Sequence, residues 1–258
     1  MNRGFNSGID VIPTYDPLGF VYGKGVYGPS VENRRLDDIR KSLLDPDCKG
    51  PDVVYSIAMD VGRSCDKTDL LKRNLLFGVV SYAKGQMGIE PVHSQGHIHA
   101  VSKFCGTSTC EIYEIWHGSA YIYMQETAED DPGRCFAVLA EKGDIVIVPP
   151  GWAHSTVVAD TSENLTFGAW CVRDYGFDYV GVRKHHGMAW MPVVKDGKTM
   201  FKQNPLYTKS QLEIVKPRCY EELGLEEGKP IYTQFIEYKD RFLFVPKPQL
   251  RKWEGFHP

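Results

Sequence analysis

The chain has no apolar run long enough to cross a membrane: nowhere do about 18 consecutive apolar residues occur, and Met1 to Asp10 hold no stretch of signal-peptide character. A membrane is therefore not an expected partner, and cytoplasmic residence is the expectation. The sequence also lacks any basic excess, with 30 Lys and Arg against 33 Asp and Glu, a net charge of −3 and a pI near 6.2. No basic stripe tracks a phosphate backbone and no nucleic-acid-binding signature is present, so nucleic acid is not an expected partner. There is no CxxC pair. Seven cysteines, an odd number, suggest neither a disulfide framework nor a zinc ribbon, and reduced thiols are expected. Cys105 and Cys110 flank the histidine cluster described below and are left outside it. No low-complexity tract and no internal repeat occurs.

What is present is ordinary globular material, 42% hydrophobic and 24% charged, enough for one packed core with appended segments. Over 31–44 (VENRRLDDIRKSLL), Leu36, Ile39, Leu43 and Leu44 recur at helical intervals, with Asp45-Pro46 as a stop, which predicts an amphipathic helix. From Val53 the pattern changes to short apolar runs: VVYSIAM, LLFGVVSY, EIYEIWHG, AYIYMQ, FAVLA, DIVIVPP, LTFGAWCV and DYVGV. Turn residues such as Gly118, Asp131-Pro132-Gly133 and Gly143-Asp144 separate them, so an all-β barrel or sandwich is expected. The organisation reads as an N-terminal arm and helix over 1–50, a strand-rich domain over 51–184, and an irregular extension over 185–258 that packs on the barrel or on a second subunit. Within the extension, PIYTQFIEYKDRFLFV fits a helix or a hairpin through Lys239-Asp240.

The chemistry concentrates in Gly96-His97-Ile98-His99, then Glu111-Ile112-Tyr113, then Pro149-Pro150-Gly151-Trp152-Ala153-His154. In a strand, residues i and i+2 share a face, so His97 and His99 project together, as do Glu111 and Tyr113. A twelve-residue interval from His99 to Glu111, read as a loop between neighbouring strands, lets Glu111 close on the two histidines, and His154 completes the group. A single histidine on an apolar face is usually a core residue. The ordered combination of three imidazoles and one carboxylate instead suits a first-row divalent cation with open positions for water or substrate, the arrangement of a catalytic site.

These residues resemble the cupin superfamily and, within it, the cupin-type glucose-6-phosphate isomerases, whose motifs have the form GxExxKTxGHxH, ExY and PPxWAHxT. The matching positions are Gly88, Glu90, Ser94, Gly96, His97 and His99, then Glu111 and Tyr113, then Pro149, Pro150, Trp152, His154 and Thr156. RRLDDIR, VVY, FGAW and DYGFDY extend the resemblance over about residues 33–182. It implies a double-stranded β-helix (cupin) barrel, usually a homodimer, that interconverts glucose 6-phosphate and fructose 6-phosphate. It also implies a bound divalent metal, either iron, zinc, manganese or nickel. By the same resemblance, His97, His99, Glu111 and His154 are metal ligands, Glu111 and Tyr113 catalytic, and Tyr55, Ser94, Gly96 and Tyr179 substrate contacts.

The chemistry suits the residue types. Moving a carbonyl between C1 and C2 removes a weakly acidic proton, and a cation on the sugar oxygens stabilises the enediolate, with Glu111 as the base. A metal-assisted hydride shift is the competing mechanism. The chain departs from the family's pattern at four positions: its lysine is His93, its threonine Ser94, the histidine before the DY pair Phe177, and a tyrosine on the preceding strand Cys171. The loop from His99 to Glu111 is also longer than usual. Those departures keep in view an isomerase or epimerase of another phosphorylated or acidic sugar; a metal-dependent dioxygenase would use the same ligand set, and a non-catalytic sugar-sensing metallocupin is the alternative from a different class.

Overall fold

The computed structural model describes residues 5–258. The chain is mostly β, as expected, and its main strands form two sheets. A larger, antiparallel sheet runs in the order Ile145–Val148, Glu111–His117, Leu165–Val172, Leu75–Tyr82, Val53–Met59, Glu32–Arg35. A smaller one runs Ala153–Val158, Ala120–Gln125, Cys135–Ala140, Leu212–Val215, the last strand parallel to its neighbour. Period-2 alternation sends Tyr55, Tyr113, Ile115, Phe167 and Ala169 inward, where they meet Ile122, Met124, Phe136 and Val138 of the smaller sheet in one core. Seven of the eight expected apolar runs are strands.

The larger sheet is apolar on its outer face too, because the C-terminal segment covers it. PIYTQFIEYKDRFLFV is a helix over Ile231–Glu237 followed by turns, not a hairpin. Around the outward Trp170, the rings of Tyr232, Phe235 and Phe242 lie 5.5, 5.0 and 5.5 Å away between centroids. Burying such side chains stabilises by about 2 kcal/mol each, which is why Leu165–Val172 is buried at every position. The extension is also more regular than expected. Trp190–Lys195 and Lys198–Gln203 form a hairpin turning at Asp196-Gly197, both at positive φ (52° and 74°), the pair of conformations that two-residue hairpin turns use.

Two local expectations are corrected. The helix predicted over 31–44 is a strand over Glu32–Arg35, a four-residue helix over Leu36–Ile39 and a 3-10 turn over Arg40–Ser42. Pairing of Glu32 with Ile57 and Arg34 with Tyr55 extends the first part, and Asp38 Oδ2 accepts the Arg35 backbone N–H at 2.8 Å where the helix begins. The helical spacing still describes burial, since Leu36, Ile39 and Leu43 are in the core. DYVGV is not a strand: Val180–Lys184 is helical, entered through Asp178 Oδ1, which accepts the Val180 N–H at 2.8 Å.

Glu114, outward on the larger sheet, is buried and accepts N–H bonds from Trp116 Nε1 (2.8 Å) and the Ile231 backbone (2.9 Å). Burial dominates over both bonds and lifts its carboxyl from 4.5 to about 8. The folded chain thus keeps a proton that the unfolded chain has released. Glu114 favours folding fully below pH 4.5, and that contribution declines up to about pH 8, by roughly 5 kcal/mol at most. Glu114→Gln loses one acceptor and is expected to be about 1 kcal/mol less stable than wild type at pH 5. By pH 9 the order should reverse. Urea unfolding at both pH values checks this, and an equal gap at both would remove Glu114 from the pH response.

Candidate metal centre and substrate cavity

His97, His99, Glu111 and His154 each direct one ligand atom into a common space, all four atoms within 4.8 Å of one another. The elements that bring them there differ from the expected pair of neighbouring strands. Ile98–His99 pairs with Phe177–Asp178, and His97 is bridged to His154 through reciprocal backbone bonds of 3.0 and 2.9 Å. Glu111 opens the strand that continues to Tyr113, and His154 lies in Ala153–Val158 of the smaller sheet. The cluster therefore spans the gap between the sheets.

Hydrogen bonding fixes which ring atoms face it. His99 Nδ1 lies 3.0 Å from the Thr109 carbonyl and His154 Nδ1 lies 3.1 Å from that of Trp152. A carbonyl only accepts, so both Nδ1 atoms carry hydrogen, and in the neutral rings each Nε2 is a lone pair. Those two Nε2 atoms stand 3.1 and 3.3 Å from Glu111 Oε2. His97 Nε2 is buried with no hydrogen-bond partner. Burial, followed by the neighbouring His154 and His99, holds His97 well below the usual histidine range, and burial likewise lowers His154. A carboxylate facing neutral imidazole lone pairs repels them unless a cation lies between. Hence the donor set fits a metal ion, and the carbonyls behind His99 and His154 orient the rings as supporting groups of such sites do.

The cavity beside the cluster is lined by Tyr55, Ser94, Tyr113 and Tyr179, four of the positions expected to meet substrate. Tyr113 donates its hydroxyl to Glu111 Oε2 at 2.8 Å, and burial raises its pKa well above the usual value, so it stays a donor. Tyr55 is buried and stacked on Tyr82 at 4.8 Å. Ser94 Oγ accepts the Thr156 N–H at 3.0 Å. Gly96 is not on the cavity wall. It sits behind it at φ +85°, where a Cβ would come within 2.5 Å of Met188 Sδ.

The departures from the family's pattern have definite places. Phe177 lies edge-on to His97, ring centroids 4.4 Å apart, and Cys171 donates its thiol to Glu111 Oε1 at 3.2 Å. His93 is a buried strut outside the cavity, bonded to the Ser94 carbonyl (2.7 Å) and to Glu90 (3.1 Å). Cys105 bonds within its own turn to Thr107, and Cys110 donates to the Phe244 carbonyl, so neither thiol joins the cluster. Glu32, Arg34, Tyr82 and Gln95 also line the cavity and were not among the expected residues. For Arg34 and Glu32 the signal was hidden by the helical spacing over 31–44.

Comparison with known proteins places the chain. The family model for glucose-6-phosphate isomerase (GPI) matches residues 40–209. The glucose-6-phosphate isomerase of Thermococcus litoralis is 29% identical over 179 residues, 67% of this chain and 85% of that protein. That of Pyrococcus furiosus is 30% identical over 137 residues, 53% and 66% of the two chains. Among solved structures, recombinant oxalate oxidase in complex with glycolate overlaps 49% of this chain and 55% of its own, at 14% identity and a TM-score of 0.36. Vicilin from Corylus avellana overlaps 50% and 33%, at 10% identity and a TM-score of 0.37. Likenesses at that level say nothing about this chain's chemistry. The family match spans well over half of the sequence and includes every member of the His/Glu cluster: the chain belongs to the glucose-6-phosphate isomerase family.

Proposed function

We propose that this chain is an aldose–ketose isomerase that interconverts glucose 6-phosphate and fructose 6-phosphate, with His97, His99, Glu111 and His154 holding one divalent metal ion. The observation that carries the reading is the buried cluster itself, a carboxylate facing imidazole lone pairs beside a cavity, in a chain of this family. The donor set of three imidazoles and one carboxylate suits iron, zinc, manganese or nickel. Such an ion, when bound, supplies Lewis acidity toward sugar oxygens. Glu111, ionised and set between Tyr113 and Cys171, takes the proton from the carbon next to the carbonyl and returns it to the adjacent carbon. Tyr113 holds the carboxylate in place and presents a hydroxyl donor; Tyr55, Ser94 and Tyr179 offer hydroxyls to the substrate. The homodimer and cytoplasmic residence belong to the same reading through the family resemblance. Among the described residues no helix is long and apolar enough to cross a membrane.

A coupled assay across hexose and pentose phosphates, with metal analysis of the same sample, tests the proposal. Isomerisation in deuterated water should place deuterium at the migrating position. Metal without turnover on any sugar phosphate would leave a metallocupin and remove the isomerase.

One observation favours a second reading, an isomerase or epimerase of another phosphorylated or acidic sugar. The cavity wall is apolar at Ile57, Met59, Val80, Phe167 and Phe177, and the Phe177 ring has no donor or acceptor for a sugar hydroxyl. If glucose 6-phosphate is the substrate, Phe177→His restores a hydrogen bond worth about 1 kcal/mol and should raise its turnover roughly fivefold. No gain, together with faster turnover of a different sugar phosphate by the wild type, would select the second reading.

A further inference from the structure

We infer that Arg34 is the residue that recognises the substrate's phosphate, and that Glu32 occupies its guanidinium until the phosphate arrives. The inference rests on the reading that the substrate is a sugar phosphate. Among the described residues Arg34 is the only lysine or arginine on the cavity wall, whereas Glu32 and Glu111 are both acidic. Glu111 belongs to the His/Glu cluster, so away from that cluster a phosphate dianion entering this space meets the Glu32 carboxylate and, as its side-chain cation, Arg34. The hydroxyls of Tyr55, Ser94 and Tyr179 can donate hydrogen bonds to it but carry no charge, and an anion left without a counter-charge in a partly apolar cavity is costly.

The fold places Arg34 for this purpose. Glu32–Arg35 is the edge strand of the larger sheet, with Arg34 opposite Tyr55 and Glu32 opposite Ile57. Residues i and i+2 share a face, so Glu32 and Arg34 look into the cavity beside Tyr55 and Ile57, and all four line it. Arg34 Nη1 lies 2.7 Å from Glu32 Oε1, with the two side chains 30% and 57% exposed. An ion pair that open to water contributes at most about 1 kcal/mol, so Glu32 is a partner that a dianion displaces readily. A guanidinium fork also matches a phosphate in two parallel bonds, which a single carboxylate does not use up. The second arginine nearby is differently engaged: Arg183 lies 4.6 Å over the Tyr179 ring and gives both its Nε and Nη2 hydrogens to Gln95 Oε1, at 3.1 and 3.0 Å. It is off the cavity wall. A bound sugar phosphate therefore has its reacting carbons at the His/Glu cluster and its phosphate at Arg34.

The test compares wild type, Arg34→Gln, Arg34→Lys and Glu32→Gln, with inorganic phosphate as the probe of the anion site and fructose 6-phosphate as substrate. In Arg34→Gln, the phosphate inhibition constant and KM should both rise about 10- to 100-fold, the worth of a charge-assisted hydrogen bond, with kcat within a few-fold. Arg34→Lys should recover part of the loss. Glu32→Gln should shift both constants the other way, because the competing carboxylate is gone. Thermal melting separates a misfolded Arg34→Gln from a weak binder, and Glu32→Gln keeps the inference open to refutation if that variant fails to fold. Turnover of sugar phosphates with a KM and inhibition constant indifferent to Arg34→Gln, or unmoved by Glu32→Gln, would overturn the inference and leave the isomerase standing. Arg34-dependent phosphate binding without turnover of any sugar phosphate would keep the anion site and remove the isomerase reading. Absence of phosphate binding by the wild type sinks the inference outright.

Discussion

Replacing His97 by alanine is expected to empty the metal centre. His97 Nε2 is buried with no hydrogen-bond partner from the protein, so a bound ion would compensate for the contact with water that burial removes. His99, His154 and Glu111 still touch one another when His97 is gone, but two imidazoles and a carboxylate that also serves Tyr113 and Cys171 hold an ion weakly. Loss of groups that merely orient ligands costs about 10- to 100-fold in affinity, and loss of a ligand should cost more than 100-fold. Elemental analysis after dialysis should fall from near one ion per chain to less than about a tenth. A second readout is independent of activity. Added metal raises the melting temperature of wild type by binding only the folded form, and this gain should vanish in His97→Ala. Undiminished metal in the variant would show that the ligands lie elsewhere.

The His/Glu cluster was legible in the sequence because each of its pieces is local, although the sheets that bring the pieces together are not. His97 and His99 share a face by strand period, Glu111 and Tyr113 do likewise, and the turn at Pro149-Pro150 delivers His154 on the next strand. The strands were readable for the same reason, as short β-rich runs between turns. What was not readable depends on contacts between distant segments. Arg34 sits in a stretch whose apolar spacing is helical, and only the pairing of Arg34 with Tyr55 across the sheet edge makes it extended and turns it toward the cavity. The Cys171 thiol on Glu111 Oε1 joins residues sixty positions apart. The C-terminal helix left two readings open because Ile231, Phe235 and Phe242 are apolar in either. The outer face of the larger sheet, with Trp170 at its centre, decides between them.

Glu111→Gln is the variant expected to separate chemistry from binding. The substitution keeps the side chain's shape and removes its charge. Its amide also turns a donor toward either Oε1's partner, the Cys171 thiol, or Oε2's partners, so one of those contacts is lost. A base acts in the transition state, whereas Tyr55, Ser94 and Tyr179 act on the bound sugar before reaction. Turnover should therefore fall by about 1,000-fold or more, with KM changed only a few-fold. Elemental analysis of the same sample distinguishes the residue's two roles. Full metal occupancy with turnover abolished identifies Glu111 as the base, and loss of both identifies a ligand whose carboxylate the centre requires. Exchange of the substrate's C2 hydrogen with solvent gives the decisive control, since a base that is missing stops exchange as well as net isomerisation. Near-normal turnover with exchange retained in Glu111→Gln would assign the proton transfer to another base, whereas near-normal turnover without exchange of the C2 hydrogen would make a hydride shift between C1 and C2 the chemistry that this site performs.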